Sequence, residues 1–122
     1  MIVTTDEALI RSYLDDDTVR EGFGPVDDVL MPDALYFYEP DVGLFPARYE
    51  GNVINVHAAI PKKNRGIKMI RAAKHLGQWL LARDWRVFTT VEHEKRHIIH
   101  CIKLIGFMKI GELDRYAVYR YR

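Results

Sequence analysis

Hydrophobic and polar positions along this chain follow two different periods, and each change of period marks an element. Leu9, Ile10 and Leu14 come after Thr5, Asp6 and Glu7. A capping hydroxyl at Thr5 and an acidic first turn predict a short helix running to about Leu14. Between Asp15 and Asp33, three consecutive Asp and then Gly22, Gly24, Pro25 and Pro32 break any sustained period, which predicts a loop with one helical turn. Three runs of period two follow, Ala34–Glu39, Leu44–Glu50 and Val53–Ile60, separated by Pro40–Gly43 and by Gly51 and Asn52. This is the pattern of an antiparallel meander. In the third run Ile54, Val56, Ala58 and Ile60 share one face, and Asn55, His57 and Ala59 share the other.

The run PKKNRG, Pro61–Gly66, then separates the meander from an amphipathic helix with Met69, Ala73, Leu76 and Leu80 at helical spacing. Arg86–Glu92 alternates again, with Val87, Thr89 and Val91 on one side, and reads as a fourth strand. His93–Ile105 places Ile98, Ile102 and Ile105 on one stripe and stops at Gly106, a residue suited to a left-handed cap. A turn at Gly111–Asp114 and the alternating run Tyr116–Tyr121 complete the chain. A helix between two strands implies a parallel crossover. The expected fold is therefore α/β, a mixed and mostly antiparallel sheet with a central parallel strand pair flanked by helices.

Composition narrows this without changing it. A length of 122 residues predicts one domain, 1–122, with 48% hydrophobic and 29% charged residues, ordinary for a globular chain. No apolar run approaches the ~20 residues of a membrane span, and the N-terminal residues lack a signal-peptide pattern, so a cytoplasmic location without membrane contact is expected. The single cysteine, Cys101, excludes an internal disulfide and a paired-thiol zinc or redox motif. Residues 1–50 hold twelve Asp/Glu against three Lys/Arg, a net of −9, which leaves +10 beyond them. The acidic half is expected to fold against the basic half. A pI near 7.9 makes nucleic acid an unlikely partner.

The most informative stretch is Ile60–Met69, where a strand delivers the chain through a basic loop onto a helix N-terminus. Free amides and the helix dipole there favour an anion, to which Lys62, Lys63, Arg65 and Lys68 add charge. Basic residues at that end oppose the dipole unless an anion or a nearby acid offsets them. Other candidates carry less. Asp15, Asp16 and Asp17 lack the ligand spacing of a calcium loop. His93, His97 and His100 share a helix without an identifiable third ligand, so no metal is expected. Cys101 sits inside a helix with no paired base in sight, the setting of an inert buried thiol.

The strand-loop-helix IPKKNRGIKMIRAAKHLGQWLL and the later VEHEKRHIIHCIKLIGFMKIG resemble the GNAT superfamily of acyl-CoA-dependent N-acetyltransferases over residues 34–122. The family's phosphate loop runs Arg or Gln, two residues, Gly, one residue, then Gly or Ala. Gly66 matches the first glycine, Lys63 takes the Arg or Gln place, and Lys68 takes the second small place. The family's later segment ends in Gly-Phe, matched by Gly106 and Phe107, while Lys95, Ile98 and Ile102 replace its Asn, Ala and Tyr. That Tyr commonly gives a proton to the departing thiolate, which an isoleucine cannot do. The short N-terminal region and the helix end Trp79-Leu80-Leu81 are similar to small GNAT-like proteins encoded by bacteriophages.

Two functions follow from the resemblance. One is an acetyl-CoA-dependent N-acyltransferase of unknown amine substrate. In it, Lys63, Asn64, Arg65, Gly66, Ile67 and Lys68 hold the pyrophosphate, the backbone of Ala58, Ala59 and Ile60 pairs with pantetheine, and His57 or Glu92 takes the amine proton. The other is a catalytically silent GNAT-like binding protein or bacteriophage virion or assembly protein, located in host cytoplasm or virion, whose groove is closed or contacts a protein partner.

Overall fold

The computed structural model describes residues 1–23 and 33–122. Its elements are β1 (Ile2–Val3), α1 (Glu7–Leu14), α2 (Asp17–Phe23), β2 (Leu35–Glu39), β3 (Gly43–Glu50), β4 (Val53–Val56), a 3-10 turn (Lys62–Asn64), α3 (Ile67–Leu81), β5 (Arg86–Glu92), α4 (Arg96–Ile105), β6 (Phe107–Leu113) and β7 (Tyr116–Tyr121). The strands form one sheet in the order β1-β2-β3-β4-β5-β7-β6. Only β4 and β5 run parallel, joined by the α3 crossover, and every other neighbouring pair is antiparallel. This is the mixed sheet with a central parallel pair expected from the sequence.

Alternation sorts the side chains onto two faces. On one, Phe37, Phe45, Ile54, Val56 and Val87 meet Ala72, Leu76 and Leu80 of α3, while Val91, Ala117 and Tyr119 meet Ile102 of α4. On the other, Tyr36, Leu44 and Ala59 are covered by Ile10, Leu14 and Val19 of α1 and α2. Leu14, Leu44, Ile54, Leu76, Leu80 and Val87 are the largest fully enclosed side chains. Burial of an aliphatic side chain of this size stabilises the fold by roughly 1.5–3 kcal/mol.

Several local expectations change. The cap of α1 is Asp6, whose carboxylate accepts from the Leu9 N–H, not Thr5. A helix, α2, replaces the first part of the expected Asp15–Asp33 loop. Its start is organised by Asp16, which accepts from the Thr18 and Val19 N–H groups and from the Thr18 hydroxyl. Those bonds hold the Asp16 carboxyl below its usual pKa, the Thr18 hydroxyl contributing most. The rest of that stretch, 24–32, lies outside the described residues. The second amphipathic helix begins at Arg96 instead of His93, because His93–Lys95 form a turn tied to Arg115 and Glu92. Gly111 lies within β6, and the hairpin turns at Asp114, whose φ of 57° is left-handed. Ion pairs such as Arg11–Glu7, Lys95–Glu92 and Lys109–Glu112 form within one half, while the Lys63 charge acts across the halves on Asp16.

The C-terminal strand is keyed to two glycines. Tyr121 lies against Gly77 of α3, where a Cβ would fall 2.8 Å from its ring, and against Gly106, at φ 125°, where a Cβ would fall 3.1 Å away. Gly106 closes α4 with its N–H on the Ile102 and Lys103 carbonyls, the cap that its place in the sequence predicts.

Candidate functional site

The site follows from a disagreement between neighbouring strand pairs. β4 and β5 are paired only from Val53↔Arg86 to Asn55↔Phe88. The ladder between β3 and β4 goes further: the His57 N–H donates to the Pro46 carbonyl at 2.8 Å, and Ala59 exchanges bonds with Leu44 at 2.8 and 3.2 Å. β5 likewise stays paired to β7 through Glu92↔Tyr116. Each central strand is therefore held by its outer neighbour while the two part from each other. In an antiparallel ladder the pairing direction alternates. With His57 and Ala59 bonded toward β3, the Ala58 N–H and C=O turn toward the opening, and its side chain is exposed.

A groove of about 740 Å³ runs through this opening. On the side of the sheet that carries α3 and α4 it is lined by Met69, Ala73, Leu76, Ile98, Cys101 and Ile102, and on the other by His57, Thr90, Glu92, Tyr116 and Thr18. The groove thus joins both faces of the sheet, with the free edge of Ala58 between them.

At one end lies the N-terminus of α3. Gly66 occupies φ 120°, ψ −142°, a conformation essentially restricted to glycine, and among the described residues no side-chain hydrogen bond caps the helix. No acidic residue stands in its first turn. Lys62, Lys63 and Lys68 are exposed around it, so the bulk of Lys68 lies outside the groove lining. Arg65 and Asn64 act differently from the lysines. Arg65 Nε donates to the Ile60 carbonyl at 3.0 Å and Nη2 to the Thr18 carbonyl at 3.1 Å, while Asn64 Nδ2 donates to the Val42 carbonyl at 3.0 Å. These two side chains shape the loop, and the Lys62, Asn64 and Arg65 amides are bonded within it, leaving the first amides of α3 and the lysines to meet an anion.

His57 is half-buried, and its ring makes no hydrogen bond to a described residue. Burial, and then the nearby Arg48 charge, hold its pKa below the ordinary 6.5, so the imidazole is neutral at pH 7. Glu92 is half-buried at the end of β5, with Lys95 Nζ 3.9 Å from its carboxylate. Tyr116 stands opposite Glu92 in register, its hydroxyl accepting from Arg115 Nη2 at 3.2 Å. Both expected bases, His57 and Glu92, thus line one groove together with Ala58, Ile60, Arg65 and Gly66, whereas Ala59 is fully buried against α1 and α2. Sequence reasoning missed Thr18 and Tyr116, which reach the groove only through tertiary pairing. It also read Cys101 as buried, although its i+4 spacing from His97 puts both on one side of α4, and both line the groove. Among the described residues no group of three or more His, Cys, Asp or Glu is placed to hold a metal ion, and no helix is long and apolar enough to cross a membrane.

This architecture is a mixed α/β sheet parted between its parallel strands, a fold shared with solved acyltransferase structures. Among solved structures, a candidate acyl-CoA N-acyltransferase from Klebsiella pneumoniae is similar over 98% of this chain and 95% of that one, with a TM-score of 0.59 and 16% identity. A chimera of the spermidine N-acetyltransferase SpeG from Vibrio cholerae and hSSAT is similar over 71% of this chain, with a TM-score of 0.55 and 13% identity. The match spans 63% of that longer protein. No protein-family model and no curated protein matches the sequence.

Proposed function

We propose that this chain is an acyl-CoA-dependent N-acyltransferase. The observation that carries the reading is continuity: one groove connects the uncapped N-terminus of α3, the free backbone edge of Ala58 and the neutral imidazole of His57. The residues present fit the donor. Amides and lysines around Gly66 suit a pyrophosphate, and the Ala58 edge suits an amide-bearing chain laid along the opening like an added strand. Bound there, an acyl-CoA supplies an acyl group activated as a thioester.

The residues divide the remaining work by position. His57, neutral and half-buried, takes the proton shed by an attacking amine, with Glu92 as the second base at the same opening. The Ala58 N–H is oriented to donate to negative charge developing on a carbonyl oxygen in the opening. Met69, Ala73 and Ile102 exclude water from the α3 and α4 side. Ile102 has no proton to give, so a thiolate leaves without help from that position. The same Ile102 is the observation favouring the second reading, a catalytically silent protein that keeps the groove for binding, including as a virion or assembly component.

Calorimetric titration with CoA, followed by measurement of free-thiol release from acetyl-CoA with a panel of amines, tests both. Binding with release supports the acyltransferase, binding without release with any amine supports the silent reading, and absence of binding removes the donor assignment.

A further inference from the structure

We propose that the outer edge of β6 is a self-complementary interface through which two copies of this chain pair antiparallel about a two-fold axis at Gly111. β6 ends the sheet, bonded to β7 on one side, and no described strand pairs its other side. Met108, Ile110 and Leu113 on it are 59, 49 and 70% exposed. An unpaired edge carrying this much apolar side chain is a template for a further strand.

The register decides what that edge presents. Lys109 stands opposite Tyr119 and Gly111 opposite Val118, so Ile110 is an inserted, bulged residue. In an unbroken strand Met108 and Leu113 would lie on opposite faces, as would Lys109 and Glu112. The bulge brings Met108, Gly111 and Leu113 onto one face, opposite Arg120, Val118 and Tyr116. It brings Lys109 and Glu112 onto the other, where they form an ion pair. A bulge more often turns an edge away from pairing. Here it makes the edge a palindrome: apolar, basic, glycine, acidic, apolar.

A two-fold axis through Gly111, perpendicular to the sheet, sets Met108 against Leu113 of the second copy and Lys109 against Glu112 of the second copy, each on its own face. Moving the axis one ladder position either way sets Lys109 against Lys109 or Glu112 against Glu112, so charge selects this register against its neighbours. At the axis itself a Cβ on Gly111 would meet no heavy atom within 4 Å, so the approach is open. Such an interface is isologous and closes as a dimer instead of growing into a fibre. Charge complementarity across this axis is what identifies the occupant as a second copy. The inference is independent of the acyltransferase reading, because the groove lies at the β4 and β5 opening.

Sedimentation equilibrium of the full chain tests it, with far-UV circular dichroism confirming that each variant folds. Wild type is expected as a reversible dimer. Lys109→Glu and Glu112→Lys are each expected to raise its dissociation constant by about tenfold, as two cross-strand attractions become repulsions. The double variant Lys109→Glu/Glu112→Lys is expected to recover the wild-type constant. Leu113→Lys, at the most exposed site, gives an independent loss of pairing. A wild type that stays monomeric at high micromolar concentration overturns the proposal, and so does a dimer whose constant the single swaps leave unchanged.

Discussion

Arg65 and Thr18, 47 residues apart in the chain, are joined at the groove: Arg65 Nη2 donates to the Thr18 carbonyl at 3.1 Å. The Thr18 hydroxyl in turn accepts from the Lys62 N–H at 2.9 Å, so α2 is fastened to both ends of the turn that precedes α3. Arg65 is thereby a structural residue of the loop, and Lys62, Lys63 and Lys68 are the exposed cations beside it. Arg65→Ala should lower stability by about 1 to 2 kcal/mol, the worth of two hydrogen bonds. The pair Lys63→Ala/Lys68→Ala should leave the urea midpoint unchanged or slightly raised, because Lys68 opposes the α3 dipole, yet weaken CoA binding and flatten its salt dependence. Denaturant melts and titrations at two salt concentrations separate the effects. An unchanged midpoint in Arg65→Ala would show that the contact contributes nothing.

Gly66 makes the complementary case. A Cβ there would meet nothing within 4 Å, so any penalty is in the backbone, not in packing. Gly66→Ala should destabilise by about 1 to 3 kcal/mol, or else relax to a new φ and turn the amides away. Either way CoA affinity falls, which calorimetry on the folded variant reads directly.

Two residues that line the groove should respond unequally to the same truncation. Leu76 is 2% exposed and packs into the large core under α3, whereas Ile102 is 9% exposed and belongs to the smaller cluster under α4. Leu76→Ala is expected to cost about 2 to 5 kcal/mol and Ile102→Ala to fall at the low end of that range, because less of its surface is enclosed to begin with. Equal losses in urea melts would argue that Ile102 is as enclosed as Leu76.

The depressed pKa of His57 sets the sign of two pH effects. Folded His57 takes up its proton below 6.5, whereas the unfolded chain takes it up near that value. Its contribution to stability is therefore complete above 6.5 and is lost as the pH falls through the folded pKa. His57→Gln should reduce the difference between urea midpoints measured at about pH 7.5 and about pH 5.5. If His57 is the base, the acid limb of the kcat/KM profile also lies below 6.5, and Arg48→Ala moves it upward. A limb unmoved by that substitution would assign the proton to another group.

Cys101 provides a direct report on the groove, being the sole cysteine and a lining residue. Saturating CoA should slow its alkylation by iodoacetamide by about tenfold or more, followed as a single mass increment on the intact chain. Alkylation at the same rate with and without CoA places the ligand elsewhere.

Local patterning alone determined most of the fold. Period two in residues 34–60 and 86–92, period 3.6 after Gly66, and glycine at 66 and 106 identify strands, helices and caps because these depend on which side of a short segment meets the core. The basic loop and the face carrying His57 were legible for the same reason. The helical start at Asp17 was not, because Asp16 organises it through three bonds that a run of Asp does not announce. The opening between β4 and β5, paired strands 33 residues apart in sequence, depends on how long each remains bonded to its outer neighbour, a relation among four segments. The same applies to Thr18 and Tyr116 in the groove, to Arg65 bonded to the Ile60 and Thr18 carbonyls, and to the bulge that gives β6 its symmetry. Composition and periodicity report the preference of one segment, whereas register and the end of a ladder are settled only when two segments meet.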